Sequence, residues 1–297
     1  MNRGVRDDAQ HTGANLRLPA AKHLVRRRIG QFKRAYVFSL TASRLTPNLA
    51  RLSTYRGIAD VGSIYLIRHG QASFGADDYD VLSPLGERQA QIVGQHLVDL
   101  GVSFDRCVSG DLTRQQDTAR HALEQFSAAG LARPTLEVDA AFNEFDAFGV
   151  LKALLPGLLP DEPHAVAAMT DAAHDPVEFQ RIFDLIVARW LSGTWDTPEL
   201  ESWLAFVERV QGGLNRLLDH AHDTQHTIAV FTSGGTITAL LHLLTRIPAN
   251  DAFKLTWQIV NTSLSRLKFQ GREVTLASFN SHVHLQLLKT PSLITYR

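Results

Sequence analysis

The chain has 297 residues, of which 44% are hydrophobic and 20% charged, so its composition is that of a globular protein with one large or two modest domains. Its net charge of zero is unevenly divided, because residues 1–63 carry 12 Lys or Arg and 3 Asp, whereas residues 64–297 carry 18 Lys or Arg and 27 Asp or Glu. The single cysteine, Cys107, excludes an internal disulfide framework and favours a reducing, cytoplasmic setting.

Residues 1–62 form a basic extension that we predict to be disordered. Its Arg-rich, acid-poor composition, with three consecutive arginines at 26–28, is typical of transit peptides. Its apolar segment, residues 35–40, is too short for a secretory signal or a membrane span. A targeting segment, a nucleic-acid-binding arm and a start site assigned too far upstream are the alternatives, and nucleic acid is not an expected partner.

The first predicted strand, residues 64–67, is an apolar run that ends abruptly in Arg68-His69-Gly70. This pattern predicts a buried parallel strand that delivers polar groups to the carboxyl edge of a sheet, where open α/β sheets bind ligands. Arginine suits phosphate, and histidine can act as a nucleophile near neutral pH. The strand end therefore indicates phosphoryl chemistry, although such a tripeptide also occurs by chance.

The following elements alternate between helices and strands. Ser83 and Pro84 predict the start of a helix that ends at Gly101. Further strands are predicted at 104–109, 135–138 and 227–231, further helices at 112–126, 199–222 and 236–244, and a hairpin at 264–269 and 273–279. Residues 150–197, interrupted by prolines, predict a helical insertion over the ligand edge. This order predicts a three-layer α/β/α sandwich with a mostly parallel central sheet over residues 63–290, followed by a tail at 291–297.

Two later segments place polar groups at the same predicted edge. Arg114 lies one helical turn after strand 104–109, so that a second arginine beside Arg68 would clamp the oxygens of a phosphoryl group. Strand 227–231 ends in Thr232-Ser233-Gly234-Gly235 and runs into a helix, whose amino terminus offers free N–H groups.

Three segments resemble the histidine phosphatase superfamily, in its phosphoglycerate mutase-like branch, in their order and approximate spacing. They are Ile-Arg-His-Gly-Gln at 67–71, Leu-Ser-Pro-Leu-Gly-Glu-Arg-Gln-Ala at 82–90, and residues 109–119. The resemblance covers roughly residues 63–288 and implies a phosphohistidine intermediate on His69, with Arg68 and Arg114 binding the phosphate. Glu144 matches the position of the family's general acid, and Asp146 is the alternative.

One departure from the family concerns its second histidine, which usually lies in a Ser-His-Gly-Gly-like turn where this chain has Ser233. A serine donates one neutral hydrogen bond and brings no positive charge, so slow catalysis or a pure binding role is an alternative. We expect Gln71, Ser233 and Gly234 to join the arginines in binding the phosphate. His284, in a segment that resembles the family's Asn-x-x-x-His-Leu ending, is assigned to the same site.

Other phosphate-handling motifs are missing from the sequence. It contains no P-loop, and Cys107 and Arg114 are one residue too far apart for a Cys-x5-Arg cradle. Phe231 breaks the Gly-x-Ser-x-Gly pattern around Ser233, and the His-x-His at 282–284 lacks a third ligand, so we predict neither metal nor cofactor.

The sequence therefore predicts an enzyme, a phosphatase that hydrolyses a small phosphomonoester through a phosphohistidine. A phosphoglycerate-type mutase and a weak or inactive pseudoenzyme that binds a phosphorylated ligand are the alternatives. The sequence leaves the oligomeric state open.

Overall fold

Six strands form one sheet in a computed structural model that describes residues 61–73, 80–170, 174–219 and 226–296. They are β1 (Gly62–Arg68), β2 (Arg106–Ser109), β3 (Leu136–Val138), β4 (Thr227–Thr232), β5 (Leu264–Gln270) and β6 (Glu273–Ser281), in the spatial order β3-β2-β4-β1-β5-β6. The first four strands are parallel, and β5 and β6 form an antiparallel hairpin beside β1. The predicted mostly parallel sheet is confirmed.

Nine helices surround this sheet in the part of the chain that the structure describes. They are α1 (Pro84–Asp99), α2 (Thr113–Ala128), α3 (Ala147–Leu158), α4 (Ala165–Thr170), α5 (Pro176–Ser192), α6 (Trp203–Asp219), α7 (Gly234–Thr245), α8 (Ala249–Thr256) and α9 (Val283–Gln286). No helix in the described ranges is both long and apolar enough to cross a membrane. The predicted basic extension lies outside the described residues, except for Val61 and Gly62.

Alternate residues of β1 belong to two separate cores, as the two-residue period of a strand requires. Ile64 and Leu66 pack into the larger core with α6 and α7, whereas Ile67 packs with α1 and α2 on the opposite face. The sheet therefore lies between two helical layers, and the predicted three-layer sandwich is confirmed.

Among the element boundaries that differ from the prediction, the starts of α6 and α7 have local reasons. α6 begins four residues later than predicted, because Ser202 Oγ accepts a hydrogen bond from the Ala205 N–H at 3.1 Å and caps the helix there. Its predicted last residues fall outside the described range. α7 begins two residues earlier than predicted, because both glycines after Ser233 adopt helical geometry.

The predicted insertion consists of α3, α4 and α5. Its apolar side chains pack onto the domain, where Leu154 and Ile182 are buried and Trp190 stacks on Phe145 at 4.7 Å between ring centroids. Because Phe145 follows Glu144, this aromatic packing fixes the backbone of a predicted site residue. The predicted tail also packs on the domain, since Gln89 Nε2 donates to the Leu293 carbonyl at 2.8 Å.

Candidate active site

The carboxyl ends of three neighbouring strands bring the predicted site residues to one edge of the sheet. Arg68, the last residue of β1, pairs with Thr232 of β4, and β2 lies on the other side of β4. His69, Arg114 and Ser233 follow these strand ends and are buried. Chain segments that are far apart in sequence therefore meet where an open α/β sheet binds its ligand.

The imidazole of His69 is held in one tautomer and kept neutral. Its Nδ1 lies 2.7 Å from the Gly70 carbonyl oxygen, which can only accept, so Nδ1 carries the proton and Nε2 has a free lone pair. Burial lowers the pKa of His69 well below its usual value, and the charges of Arg114 and Arg68 lower it further. A buried neutral imidazole with a free ring nitrogen is a competent nucleophile at neutral pH.

Arg68 and the end of β1 are supported by residues 259–263, which the sequence analysis did not single out. Arg68 Nη1 donates to the Ile259 carbonyl, and the Arg68 N–H donates to the Ser263 carbonyl at 3.2 Å. Asn261 Nδ2 donates to the His69 carbonyl at 3.0 Å. The buried polar run that begins at Asn261, just before β5, was the available signal in the sequence.

Arg114 is oriented by Asp80, another residue that sequence reasoning missed. Arg114 Nη1 lies 2.6 Å from Asp80 Oδ1, and Asp80 Oδ2 accepts from the Thr113 N–H at 2.8 Å. The carboxylate therefore caps the start of α2, where Leu112 supplies no side-chain cap. The Asp80 carboxylate therefore caps the start of α2 and also orients the Arg114 side chain.

The half-buried Glu144 carboxyl lies against the amino terminus of α7. Its Oε2 accepts from the Gly235 N–H at 3.1 Å, and a side chain on Gly235 would overlap the carboxyl group. Burial raises the pKa of Glu144 above its usual value, against the opposing effects of the Gly235 N–H and the charges of Arg114 and Arg68. Glu144 therefore keeps its proton to a higher pH than an exposed glutamate does, within the electrostatic influence of both arginines.

Asp146, the alternative proton donor, has a structural role. It is exposed, and its Oδ1 accepts from the Gly149 N–H at 2.9 Å as the cap of α3. Of the two candidate carboxyl groups, only Glu144 contacts α7 beside the strand ends.

The four residues predicted to bind phosphate alongside the arginines are placed differently from one another. Gly234 is the first residue of α7, and a β-carbon added to it would lie 3.8 Å from Arg68 Nε. Ser233 is fully buried, and its Oγ accepts a hydrogen bond from Gln115 Nε2 at 2.8 Å. Gln71 is turned toward α1, because its Oε1 accepts from the Ser83 hydroxyl at 2.9 Å.

His284, the fourth of these residues, contacts Thr262, whose N–H donates to the Arg68 carbonyl at 3.1 Å. Its Nε2 is 3.4 Å from Thr262 Oγ1, and its ring packs against His96 at 5.4 Å between centroids. Burial lowers the pKa of His284 to about 3, with His96 and His282 adding to the effect. His284 is therefore uncharged at neutral pH and cannot supply the positive charge that a second histidine would bring.

Gly70 is required by packing against the protein itself. A side chain at Gly70 would overlap the Gly86 carbonyl at the start of α1. The Gly70 N–H donates to Thr118 Oγ1 at 2.9 Å, which joins the same turn to α2. The turn after His69 is thus held by both helices of one layer.

The arrangement combines a neutral nucleophile, two buried guanidinium groups and a carboxylic acid with a raised pKa. The guanidinium groups can neutralise the non-bridging oxygens of a phosphoryl group, and the acid can protonate a leaving oxygen. Among the described residues, no group of three or more His, Cys, Asp or Glu side chains is arranged to hold a metal ion.

Comparison with known proteins gives a family match over most of this domain. The family model of the histidine phosphatase superfamily (branch 1) matches residues 64–177 and 174–282. A serine/threonine-protein phosphatase of Xenopus laevis, PGAM5, mitochondrial, is 44% identical over 57 residues, which are 18% of this chain and 21% of that protein. A 2,3-bisphosphoglycerate-dependent phosphoglycerate mutase of Allorhizobium ampelinum is 36% identical over 100 residues, 31% of this chain and 45% of that protein.

Among solved structures, phosphoglycerate mutase from Bacillus anthracis matches with a TM-score of 0.53 at 21% identity, over 78% of this chain and 98% of that one. At this identity the match shows the fold alone. The chain spans less than half the length of either curated relative named above.

Proposed function

The chain belongs to the histidine phosphatase superfamily, and from this premise we propose that it is a phosphatase that hydrolyses a phosphomonoester through a phosphohistidine on His69. One observation carries the proposal: the neutral His69 ring, with its free Nε2, shares a buried site with Arg68, Arg114 and the raised-pKa acid Glu144. A nucleophile, a charge clamp and a proton donor are the three groups that the reaction needs.

In the first step, the Nε2 lone pair of His69 attacks phosphorus while the bond between phosphorus and the leaving oxygen breaks. That oxygen takes the proton of Glu144 and departs as an alcohol. Arg68 and Arg114 balance the charge on the non-bridging oxygens. The Nδ1–H remains hydrogen-bonded to the Gly70 carbonyl, which disperses the positive charge that the ring gains.

In the second step, water attacks the phosphorus of the phosphohistidine. Glu144, now a carboxylate, accepts the proton of the water as the bond between phosphorus and Nε2 breaks. The products are inorganic phosphate and neutral His69, and Glu144 is protonated again. The Gly235 N–H stabilises the carboxylate between the two steps, because the amino terminus of a helix favours negative charge.

A mutase is the second candidate, because a phosphoglycerate mutase matches 100 residues of this chain. A mutase passes the phosphoryl group to a second hydroxyl and must bind a charged phospho-acid. The excess of acidic residues in 64–297 and the neutral Ser233 favour the phosphatase. A pseudoenzyme that binds a phosphorylated ligand without turnover is the third candidate, and Ser233 is its main support.

The proposed partner is a small phosphorylated molecule rather than a nucleic acid. We also propose that the reaction takes place in the cytoplasm, and the buried, unpaired Cys107 is the observation that supports this setting. Because one relative is named a serine/threonine-protein phosphatase, a phosphoserine peptide belongs in the substrate panel with phosphoserine, 3-phosphoglycerate and an aryl phosphate.

The test is acid-sensitive labelling by phosphorus-32 substrates, run together with turnover. The wild type, His69→Gln and His164→Gln are compared; His164 is exposed and serves as the matched control. We expect an acid-labile label and release of inorganic phosphate in the wild type and the control, with both lost in His69→Gln. Label that passes to a second hydroxyl instead of water would indicate the mutase, and binding without label in the wild type would indicate the pseudoenzyme.

A further inference from the structure

The side chain of Gln115 makes a buried contact that the reaction proposed above does not use. Gln115 follows Arg114 on α2, and both Gln115 and Ser233 are fully buried. Gln115 Nε2 lies 2.8 Å from Ser233 Oγ and 3.1 Å from the Phe142 carbonyl oxygen. The amide therefore bridges the end of β4 and the segment that leads to Glu144.

The contact with the Phe142 carbonyl shows that Gln115 is the donor, and Ser233 the acceptor, in the hydrogen bond between their side chains. A carbonyl oxygen can only accept, so the atom of Gln115 that faces it is the amide nitrogen. The nitrogen uses its second proton on Ser233 Oγ, which accepts. The proton of the Ser233 hydroxyl is then left for another acceptor, and the described part of the chain provides none for it.

Ser233 is flanked in sequence by two residues that adjoin Arg68. Thr232, the preceding residue, pairs with Arg68 in the sheet, and Gly234, the following residue, lies beside the Arg68 guanidinium. Gln115, the hydrogen-bond partner of the Ser233 hydroxyl, follows Arg114 in sequence. A phosphoryl oxygen bound by the two arginines is the acceptor that we assign to this proton.

We infer that Gln115 is a positioning residue: its amide holds Ser233 Oγ as an acceptor and so directs the Ser233 proton toward the phosphoryl group on His69. The inference rests on the proposed function. It assigns a neutral donor to the place where the family usually has its second histidine, with a neighbouring side chain that fixes the direction of that donor.

Gln115 lowers the stability of the folded protein, and its presence despite this loss supports a functional role. Gln115 Oε1 is buried and has no partner among the described residues, and a buried acceptor without a partner destabilises a protein. Gly110 leaves the space for this oxygen, since a side chain there would overlap it. A residue chosen for packing alone would be apolar at this position.

The test compares the wild type, Gln115→Met, Ser233→Ala and the double variant in single-turnover phosphoryl transfer to His69. Methionine keeps the length of the side chain and removes the donor. Gln116→Met is the matched control, because Gln116 is the next residue of α2 and its Nε2 donates to the Asp111 carbonyl instead. Rates are divided by the fraction of molecules that can be labelled, so partial unfolding of a variant does not affect the comparison.

We expect Ser233→Ala to lower the rate constant about 10²-fold, within the range for loss of one transition-state donor. Gln115→Met should lower it about tenfold with KM nearly unchanged, and the double variant should equal Ser233→Ala. Gln115→Met at the wild-type rate would overturn the inference. So would a double variant whose loss is the product of the two single losses, because that result would show that Gln115 acts independently of Ser233.

The wild-type label separates the two proposals. If the wild type is labelled and the variants act independently, the proposed function stands and the role of Gln115 fails. If the wild type is not labelled, the proposed function fails, and orthovanadate affinity of the same four proteins then decides the role of Gln115. Loss of affinity in Gln115→Met only when Ser233 is present supports the inference, and equal affinities overturn it.

Discussion

The carboxylate of Glu144 accepts a hydrogen bond from the Gly235 N–H at 3.1 Å, at the first turn of α7. This contact stabilises the ionised form, whereas burial favours the protonated form and raises the pKa. Glu144 therefore carries its proton more readily than an exposed glutamate, and its anion still has a partner after the proton has left. Both properties suit a group that donates a proton in one step and accepts one in the next.

The first prediction concerns Glu144→Gln, which keeps the shape of the side chain and removes its acidic proton. Alkyl phosphates need that proton because an alkoxide leaves poorly, and we expect their phosphorylation rate constant to fall about 10²–10⁴-fold. Aryl phosphates with acidic phenols need it much less and should lose under tenfold. Pre-steady-state rates over a series of phenols and alcohols provide the measurement. An equal loss for every leaving group would show that Glu144 is not the proton donor.

The second prediction concerns the pH dependence of kcat/KM. Because the pKa of His69 is lowered well below its usual value, its imidazole stays neutral at a pH where an exposed histidine is protonated, and activity should persist into mildly acidic solution. Activity should fall as the pH rises through the raised pKa of Glu144, because the proton donor is lost. Dividing the wild-type profile by the Glu144→Gln profile cancels the ionisation of the substrate. That ratio should decline toward alkaline pH, and a flat ratio would contradict the assignment.

The third prediction concerns Gly235→Ala. The added methyl group would overlap Glu144 Oε1 and crowd the Phe145 ring, so the carboxyl group must move away from α7. We expect the rate for alkyl phosphates to fall about 10²-fold, in line with general-acid contributions, with a smaller loss for aryl phosphates. Gly212→Ala is the matched control on α6, where the nearest atom, Arg216 Nη1, is 3.6 Å from the new carbon. The control should keep full activity and gain about 0.5–1 kcal/mol of stability. If Gly235→Ala is fully active, the contact between the Glu144 carboxyl group and the start of α7 is not required for activity.

Local sequence patterns were sufficient to predict the strand ends that build the site. An apolar run followed at once by Arg68 and His69 identifies a buried strand and its functional edge, because the side chains change from apolar to polar within one residue. Ser83 and Gly101 likewise mark the two ends of α1 by local chemistry, through a side-chain cap and a φ of +66°. Such signals do not depend on the rest of the fold.

The groups that orient these side chains were not predictable in the same way. Asp80 lies 34 positions from Arg114, Gln115 lies 118 from Ser233, and Ile259 lies 191 from Arg68. Each contact depends on how helices and strands pack, so no local pattern in the sequence indicates it. His284 shows the same limit, because its motif predicts proximity to the site while packing decides which neighbours it contacts.

The fourth prediction concerns stability and His284. Its pKa of about 3 in the folded state lies below the value of about 6.5 expected for the unfolded chain, so the unfolded state binds the proton more strongly. Stability is therefore lost as the pH falls below about 6.5, and by pH 5 this group contributes about 2 kcal/mol of that loss. In His284→Phe the difference in unfolding free energy between pH 7 and pH 5 should shrink by about that amount. Urea unfolding at both pH values measures it.

His164→Phe provides the control for this measurement, because it makes the same substitution at a position that is exposed to solvent in the folded protein. A loss of pH dependence that appears in His284→Phe and not in His164→Phe is specific to the buried position. The contribution of His69, whose pKa is also lowered, is common to all three proteins and cancels. If His284→Phe retains the full wild-type difference, the imidazole of His284 takes up its proton in the folded protein.

The last prediction restores the histidine that the family usually has. Ser233 is fully buried, and Gln115 Nε2 lies 2.8 Å from its hydroxyl, so an imidazole at 233 needs the space that the amide occupies. Overpacking of this kind costs about 1–3 kcal/mol, and we expect Ser233→His alone to be slower than the wild type. Replacing Gln115 by Ala in the same protein frees that space. A charged donor contributes more than a neutral one, and the double variant should exceed the wild type in kcat by about tenfold. Steady-state rates for the wild type, the two single variants and the double variant measure this. A single Ser233→His variant faster than the double would show that Gln115 does not restrict the site.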